Sequence, residues 1–144
     1  MKLSKKSRYG LRALIDLTIN SRNGHVALKN IAERNDISPQ YLEQVFASLR
    51  KADIVKSVKG PQGGYLLSRE PEKITISEIL EALEGNYLVE AENDQEDHGS
   101  AVIQELIIDK VNKQLGSMLA DITLHDLEKR FLAYNDYEQD MYYI

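Results

Sequence analysis

Apolar residues recur at helical spacing through the first fifty residues of the chain and predict three helices. The first helix spans residues 5–20, with an apolar face made of Leu11, Leu14, Ile15, Thr18 and Ile19. A second, short helix is predicted over residues 28–34, after a segment that Gly24 breaks. Asn35 and Asp36 suit the turn that follows, since asparagine tolerates the left-handed backbone region.

The third helix begins at a strong capping signal. Ser38 is a good N-cap residue, and Pro39 fits the first helical position. One face of this helix is apolar and consists of Leu42, Val45, Phe46 and Leu49. The opposite face is mostly polar and consists of Gln40, Glu43, Gln44, Ala47 and Lys51.

Two strand-like segments follow the third helix. IVKSVK and GYLLS are joined by GPQG, which predicts a β-hairpin with a basic, glycine-rich tip. A fourth helix is predicted over residues 75–83, with Thr75 or Ser77 near its start and Gly85 after its end. A helix that can enter a DNA major groove, followed by a hairpin that can reach the next groove, is the layout of a winged helix-turn-helix. The expected fold class is therefore mainly α, with this DNA-binding domain over residues 1–85.

The second half of the chain predicts self-association. Residues 86–100 are polar and acidic and are interpreted as a mobile linker. A long helix then carries one apolar stripe, made of Ile103, Ile107, Val111, Leu115, Met118 and Ile122. Such a stripe is buried most simply against the same helix of a second chain, and folding back onto the core is the alternative. We therefore predict dimerisation helices over residues 101–132, the last of them short, and an extended C-terminal tail over 133–144.

The two halves differ strongly in charge. Residues 1–69 hold 13 Lys and Arg against 5 Asp and Glu, a net charge of +8. Residues 70–144 hold 5 against 18, a net charge of −13, so the whole chain carries −5. A basic half can collect phosphate-bearing partners, whereas an acidic half would repel them and suits assembly or regulation.

Candidate DNA contacts fall on the third helix, the hairpin and the N-terminus. Gln40, Glu43 and Gln44 are predicted to read base edges, because glutamine can bond adenine and glutamate can accept from the cytosine amino group. Lys56 and Lys59 are placed on one side of the first strand, beside glycines that would allow a tight turn or a close approach to phosphate. The expected backbone and wing contacts are Lys5, Arg8, Tyr9, Ser38, Lys56, Lys59, Gly60, Gly63 and Gly64. A solvated polar face and a plain surface hairpin are the alternatives.

Composition excludes several classes of function. The chain has no cysteine, which excludes disulfides, thiolate catalysis and cysteine-ligated zinc or iron–sulfur clusters. No apolar run approaches the ~20 residues of a membrane helix, and the N-terminus has no signal-peptide core, so we expect a cytoplasmic protein without a membrane partner. His25, His98 and His125 lack ligand spacing and are interpreted as surface residues. No catalytic set is visible, so we expect no metal, no cofactor and no enzymatic activity.

Several of these motifs together resemble a known family. KSRYGLRAL, the turn around NDIS, YLEQVFASLRKADIVKSVKGPQGGYLLS and ITISEILEALEG are similar to the bacterial winged-helix regulators of the IscR, NsrR and CymR type. The resemblance is dense over residues 1–85 and loose beyond them. It implies a homodimeric transcription factor that binds a palindromic operator in double-stranded DNA. The family's recognition-helix positions match Gln40, Glu43 and Gln44. Its wing arginine position matches Lys59, and its N-terminal aromatic position matches Tyr9.

The chain departs from this family in the segment before the long helix. Cluster-binding members carry three cysteines there, where this chain has EAENDQEDHGS. The remaining resemblance is to the CymR-type repressors of cysteine and sulfur-acquisition genes, which form a complex with cysteine synthase. That enzyme accepts a C-terminal isoleucine in its substrate site, and this chain ends in Tyr142, Tyr143 and Ile144. A free carboxylate on an apolar side chain can mimic an amino-acid substrate, although a disordered terminus is the alternative.

The sequence thus predicts a homodimeric repressor with no cofactor, whose partners are operator DNA and, through Tyr142, Tyr143 and Ile144, cysteine synthase. The predicted dimerisation residues are Ile103, Ile107, Val111, Leu115 and Met118. Control by a small ligand in the dimerisation half is one alternative. A protein-interaction module that has lost DNA binding is another, and the retained base-reading side chains argue against it.

Overall fold

A computed structural model describes residues 1–91 and 97–142 of the protein. The N-terminal half consists of α1 (Lys5–Asn20), α2 (Leu28–Asn35), α3 (Pro39–Lys51), β1 (Val55–Val58), β2 (Gly64–Leu67) and α4 (Ile76–Glu84). The C-terminal half consists of α5 (His98–Ile103), a π-helical turn (Gln104–Ile108), α6 (Asp109–Asp121) and α7 (Leu124–Tyr142). This order confirms the predicted fold class, a mainly helical winged helix-turn-helix followed by long C-terminal helices.

Side-chain caps fix where α3 and α4 begin. The Ser38 hydroxyl accepts from the backbone N–H of Tyr41 at 3.1 Å, as predicted for the start of α3. Thr75 and Glu78 form a reciprocal capping box at the start of α4. In the turn before α3, Asp36 takes the left-handed conformation with a φ of 53°. Asn35 stays in the helix.

The hairpin is held against the body of the protein by the α1–α2 loop, where Val26 pairs with Tyr65 through two backbone hydrogen bonds. β1 and β2 pair antiparallel, with Val55 opposite Leu67. β1 ends at Val58, so Lys59 lies in the turn beyond the strand. The prediction that Lys56 and Lys59 share one side of the first strand is therefore wrong, because Lys59 is not part of the strand. Even within a strand, side chains alternate, so positions three apart would face opposite sides.

One hydrophobic core joins the two halves of the chain. Leu119 of α6 and Leu124 of α7 are buried in the same cluster as Leu14, Phe46 and Leu80 of the N-terminal helices. The backbone continues this junction, since the N–H of Leu124 donates to the Ile74 carbonyl oxygen at 2.8 Å. The C-terminal helices thus pack directly on the winged-helix unit. The alternative in which these helices fold back onto the core is therefore correct for Leu119 and Leu124.

The predicted linker over residues 86–100 is wrong at both ends. Tyr87 is buried, and its hydroxyl lies 2.7 Å from that of Ser77. The Asn112 side chain of α6 bonds both the N–H and the carbonyl of Val89, at 2.8 and 2.9 Å. At the other end, Asp97 caps α5. Burial of Tyr87 at the first end and capping by Asp97 at the second outweigh the polar composition on which the prediction depended. The part of the linker over residues 92–96 lies outside the described residues.

The last helix overturns the predicted short final helix and the predicted extended tail over 133–144. α7 is 19 residues long and continues to Tyr142. Residues 133–142 contain neither proline nor glycine, so the sequence lacks the two strongest signals that end a helix. Of the predicted partner-binding residues, Tyr142 is the last residue of this helix, and Tyr143 and Ile144 lie outside the described residues.

Candidate nucleic-acid interface

The recognition surface of α3 is set by the way the helix is buried. Leu42, Val45, Phe46 and Leu49 are each 0% exposed, so this face is fixed against the core. Gln40, Glu43 and Gln44 consequently point away from the core, and all three are exposed. Gln40 and Glu43 lie in the first turns of the helix, where helices placed in a major groove usually contact base edges.

The first helix supports this surface from the side. The rings of Tyr9 and Tyr41 meet edge to face with centroids 5.9 Å apart. The ammonium of Lys6 donates to the Ser48 hydroxyl at 3.1 Å, which ties α1 to the middle of α3. α1 and α3 therefore present their polar faces as one unit.

Tyr9 also gathers positive charge beside the recognition helix. The Lys5 ammonium lies 5.3 Å and the Arg12 guanidinium 5.9 Å from its ring centroid, both within reach of a cation–π attraction. Arg8 is exposed, and its Nε donates to the carbonyl of Leu3 at 3.0 Å. Arg12 was not among the predicted DNA contacts, although its spacing of four from Arg8 is a helical signal that could have found it.

The N-terminus that carries these cations is anchored on α4. The Glu84 carboxylate accepts from the backbone N–H of Ser4 at 3.3 Å and from the hydroxyls of Ser4 and Ser7. These hydrogen bonds stabilise the ionised form and lower the pKa of Glu84 below its ordinary value. Ser4 is also the N-cap of α1, so the carboxylate holds the helix at its first turn.

The wing lies beside α3 and leaves a basic groove between them. Lys56, Lys59 and Gly60 are exposed on the hairpin. A groove of about 550 Å³ separates it from the helix, lined by Glu43, Ala47 and Arg50 on one side and by Lys59 and neighbouring hairpin residues on the other. Arg50 was missed by sequence reasoning. Its position on the same face as Glu43 and Ala47 is the signal that could have found it.

The glycines of the wing serve backbone geometry. Gly60 has a φ of 116°, and a Cβ on Gly63 would lie 2.2 Å from the Val58 carbonyl oxygen, so both belong to a tight turn. A Cβ on Gly64 would lie 2.4 Å from the carbonyl oxygen of Val26. Of the two roles predicted for these glycines, the structure thus provides the tight turn, together with a close approach to the α1–α2 loop.

His25 is a further residue that sequence reasoning missed. It was interpreted as a plain surface residue, but its Nε2 lies 2.5 Å from the Gln62 carbonyl oxygen at the tip of the wing. The neighbouring Val26 pairs with Tyr65, with N–H to carbonyl distances of 3.0 and 2.8 Å. The β-branched Val26, two residues after Gly24, was the available signal for a third, one-residue strand.

A buried carboxylate marks the junction with α7. Glu128 is only 3% exposed. One oxygen accepts from the Arg22 guanidinium at 2.8 Å, and the other lies 3.1 Å from Nδ1 of His125. Burial raises the pKa of Glu128, but the hydrogen bonds and charges of Arg22 and His125 outweigh burial, and the net pKa is below its ordinary value. Nδ1 of His125 also lies 3.4 Å from a carboxylate oxygen of Glu72. His125 therefore contacts two carboxylates and is not the plain surface residue that was predicted.

An apolar surface remains uncovered on the C-terminal helices. Its large exposed side chains are Val102, Ile103, Leu106, Ile107, Val111 and Met118. Leu115, which was predicted to share this surface, instead packs against the core, and Ile122 lies beyond the end of α6. The π-helical turn at Gln104–Ile108 changes the angular step of the helix, so a simple four-residue spacing does not hold along its whole length.

Within residues 1–91 and 97–142, no group of three or more His, Cys, Asp and Glu side chains is arranged to hold a metal ion. No helix in the same ranges is long and apolar enough to cross a membrane.

Comparison with known proteins places these features among bacterial regulators. The chain is 40% identical over 143 residues to the HTH-type transcriptional regulator CymR of Bacillus subtilis, covering 99% of this chain and 97% of that protein. It is 50% identical over 86 residues to the HTH-type transcriptional regulator IscR of Cereibacter sphaeroides, covering 58% of this chain and 56% of that protein. These relatives are named as regulators of transcription and not as enzymes.

Solved structures agree with the sequence relatives. The structure of CymR (YrzC), the global cysteine regulator of B. subtilis, superposes with a TM-score of 0.77 at 37% identity and covers 90% of this chain and 98% of that chain. The structure of T. potens IscR superposes with a TM-score of 0.71 at 41% identity and covers 90% of this chain and 88% of that chain. The winged-helix architecture of this chain is thus shared with both branches of regulators.

Residues 3–130 match the Rrf2 family, which is described as an iron-dependent transcriptional regulator. The residues present do not fit an iron–sulfur cluster held by thiolates, because the chain contains no cysteine. The family match itself covers most of the chain, including the recognition helix, the wing and the start of α7. On this match, and on its likeness to CymR over nearly its full length, the chain belongs to the Rrf2 family of transcriptional regulators.

Proposed function

We propose that the protein is a homodimeric repressor that reads a palindromic operator with α3 and its wing. The observation that carries this proposal is the exposed set Gln40, Glu43 and Gln44 beside the basic groove that Arg50 and Lys59 line. Glutamine and glutamate side chains can read adenine and cytosine in the major groove. Lys5, Arg8, Tyr9 and the Ser38 turn then contact the DNA backbone on one side, and the wing contacts it on the other.

The uncovered surface of α5 and α6 supports the dimer. Ile103, Ile107 and Val111 are 41%, 57% and 45% exposed, which is unusual for a continuous row of large apolar side chains. Exposed apolar patches of this kind mark interaction sites. Two-fold pairing of this surface with a second copy places two recognition helices on one duplex, as a palindromic operator requires.

The regulated genes are, in this proposal, those of cysteine and sulfur metabolism. The support comes from the relatives: the CymR protein that matches over nearly the whole chain has a solved structure that describes it as a global cysteine regulator. The absence of cysteine from this chain separates it from relatives that sense through a thiolate-held cluster. The signal that controls this repressor must therefore act on it by a route other than a thiolate-held cluster.

We propose cysteine synthase as the source of that signal. The enzyme would capture the C-terminal Ile144 in its substrate site, with Tyr142 and Tyr143 adding contact area. α7 supports this proposal because its last turns carry exposed Tyr137 and Met141 and lead the chain away from the core. Occupancy of the enzyme by its own substrate would then compete with capture of the tail.

Control by a small ligand is the second candidate, and one cavity favours it. A cavity of about 650 Å³ lies among α1, α2 and α7 and is lined by Arg12, Ile15, Asp16, Ile19, Asn20, Arg34, Asn35, Phe131 and Asn135. The Asp16 carboxylate is already bonded by Arg34 at 2.7 and 2.9 Å, so Arg12 is the charge left to meet a ligand. A ligand here would contact both the DNA-binding helix α1 and α7.

Selection of binding sites from a random pool of duplexes tests the proposal. We expect a two-fold symmetric consensus for the parent protein. Glu43→Ala should lose roughly 1–3 kcal/mol of discrimination at one base pair of each half-site. Its non-specific binding should hold or tighten, because a carboxylate repels phosphate. An asymmetric consensus, or one that is identical for parent and variant, would contradict the assignment of α3 as the base-reading helix.

A further inference from the structure

The wing is positioned by contacts from outside the hairpin. Val26, in the α1–α2 loop, pairs with Tyr65 through two backbone hydrogen bonds of 3.0 and 2.8 Å. His25 from the same loop lies 2.5 Å from the Gln62 carbonyl oxygen at the wing tip. A two-stranded hairpin is only marginally stable by itself, so these added contacts matter for where the wing sits.

The same loop contacts the recognition helix through the wing. The Tyr65 ring meets the Phe46 ring of α3 edge to face, with centroids 4.8 Å apart. Phe46 is fully buried, so this contact fixes the base of the wing against the immobile side of α3. Tyr65 is thus the residue through which the α1–α2 loop, the wing and α3 are in contact.

The other end of the loop is held by α7. Arg22 directly follows the C-cap of α1, and its guanidinium donates to Glu128 at 2.8 Å. The Arg22 side chain is 65% exposed, whereas that of Glu128 is 4% exposed. Glu128 is thus the fixed member of the pair. A buried carboxylate requires its partners, because an unpaired buried charge is strongly unfavourable.

We infer that Glu128 is a positioning residue for the DNA-binding wing, acting through Arg22 and the loop of residues 21–27. This inference rests on the proposed function, since the wing is taken to contact DNA. It deepens that function by naming how α7, the helix that leads to the proposed partner site, bears on DNA affinity. A change in the position of α7 would release or hold the loop and thereby the wing.

The test compares Glu128→Gln and Arg22→Gln with Arg34→Gln in the full-length protein. Arg34→Gln is a matched control because it breaks another arginine–carboxylate pair, to Asp16, that involves neither α7 nor the loop. We expect the first two variants to weaken operator binding roughly tenfold relative to the control. Their slope of log affinity against log salt should fall by about 1 for each phosphate contact that the wing loses. Double-mutant cycles with His25→Ala should be non-additive.

Amide hydrogen exchange without DNA provides an independent readout. In Glu128→Gln, the N–H groups of Val26 and Tyr65 should exchange faster, while that of Leu42 in α3 should not. Equal acceleration at all three amides would show a general loss of stability and overturn the inference. Unchanged exchange at Val26 and Tyr65 would also overturn it, as would parent-like salt slopes in both variants. If exchange changes as expected but the parent binds no duplex, the wing-positioning role stands and the proposed function fails.

Discussion

The Tyr9 and Tyr41 rings meet edge to face at 5.9 Å, so a residue predicted to contact the DNA backbone also supports the recognition helix. Tyr41 lies between Gln40 and Glu43 in sequence and is only half-buried. Its position therefore depends on what covers it from α1. Truncating Tyr9 would remove this cover and at the same time disperse the cations that surround its ring.

Tyr9→Ala should weaken operator binding more than Tyr9→Phe does. Phenylalanine keeps the edge-to-face contact, which is worth about 0.5–1.5 kcal/mol beyond burial, and loses only the hydroxyl. Alanine loses both. Mobility-shift titrations of the two variants, together with thermal melts, measure the difference. Equal affinities for the two variants would show that the hydroxyl, and not the ring, is the feature that matters.

Gly64→Ala should displace the wing. The added Cβ would lie 2.4 Å from the Val26 carbonyl oxygen, which is backbone and cannot turn aside. The expected cost is about 1–3 kcal/mol of folding stability, with a larger loss of operator affinity than of dimerisation. The free energy of unfolding by urea measures the first quantity.

Gly116→Ala is the control for that variant. Gly116 is inside α6, and a Cβ there has nothing within 4 Å in the described parts of the chain. Alanine in a helix interior is favoured over glycine by roughly 0.5–1 kcal/mol. A stability gain from Gly116→Ala beside a loss from Gly64→Ala would tie the loss to the contact with Val26. A neutral Gly64→Ala would show that the loop and wing can separate at little cost.

The loss of folding stability at acidic pH should depend on Glu84. Hydrogen bonds from the hydroxyls of Ser4 and Ser7 lower the pKa of Glu84 in the folded state below its ordinary value of 4.5. Its contribution is therefore fully present above that ordinary value and is lost as the pH falls through the lower, folded-state pKa. Melting temperatures of Glu84→Gln and of the parent should converge as the pH falls below 4.5 and through the lower, folded-state pKa of Glu84. Glu105→Gln, a change of an exposed carboxylate, is the control. A constant difference between Glu84→Gln and the parent across the pH range would contradict this account.

Ile107→Glu should convert the protein to monomers. Ile107 is 57% exposed at the π-helical turn, and burying a carboxylate there against a second copy would be strongly unfavourable. We expect the dissociation constant of the dimer to rise by at least about a hundredfold, as for an interface hot spot of about 3 kcal/mol. Operator affinity should fall with it, while the circular dichroism spectrum stays helical. Light scattering that still finds a dimer would place the interface elsewhere.

If cysteine synthase captures the C-terminus as proposed, deletion of Ile144 should abolish that complex and leave dimerisation and intrinsic DNA binding intact. The free terminal carboxylate and an apolar side chain are what the enzyme's substrate site would recognise. Calorimetry of the enzyme with intact and truncated protein measures this, with O-acetylserine as the competitor. Binding of equal strength for the two forms, or none at all, would favour the small-ligand alternative.

The sequence was informative wherever local signals acted together. Ser38 and Pro39 predicted the start of α3, and the apolar repeat of Leu42 to Leu49 predicted its buried face; the structure has both. The exposure of Gln40, Glu43 and Gln44, the side chains predicted to read bases, followed from that burial. Where periodicity and capping residues agree, little tertiary information is needed.

The errors arose where tertiary contacts decide the outcome. Polar composition suggested a linker, but Tyr87 is buried and Asn112 binds Val89, neither of which is visible from local pattern. The tyrosine-rich end suggested a tail, although nothing in it stops a helix. His25 and Glu128 gain their roles from residues 37 and 106 positions away in sequence, which no motif encodes.

The shared core has a consequence for how such a regulator can be altered. Leu124 is completely buried among the N-terminal helices, and the strand-like contact between Thr75 and Thr123 joins the two halves. Cutting the chain after α4 would expose this apolar surface and leave backbone groups unpaired. The DNA-reading half is therefore not a portable module. A chimera that exchanges the C-terminal helices between regulators must carry over the residues that complete the neighbouring core, or it will not fold as one cooperative unit.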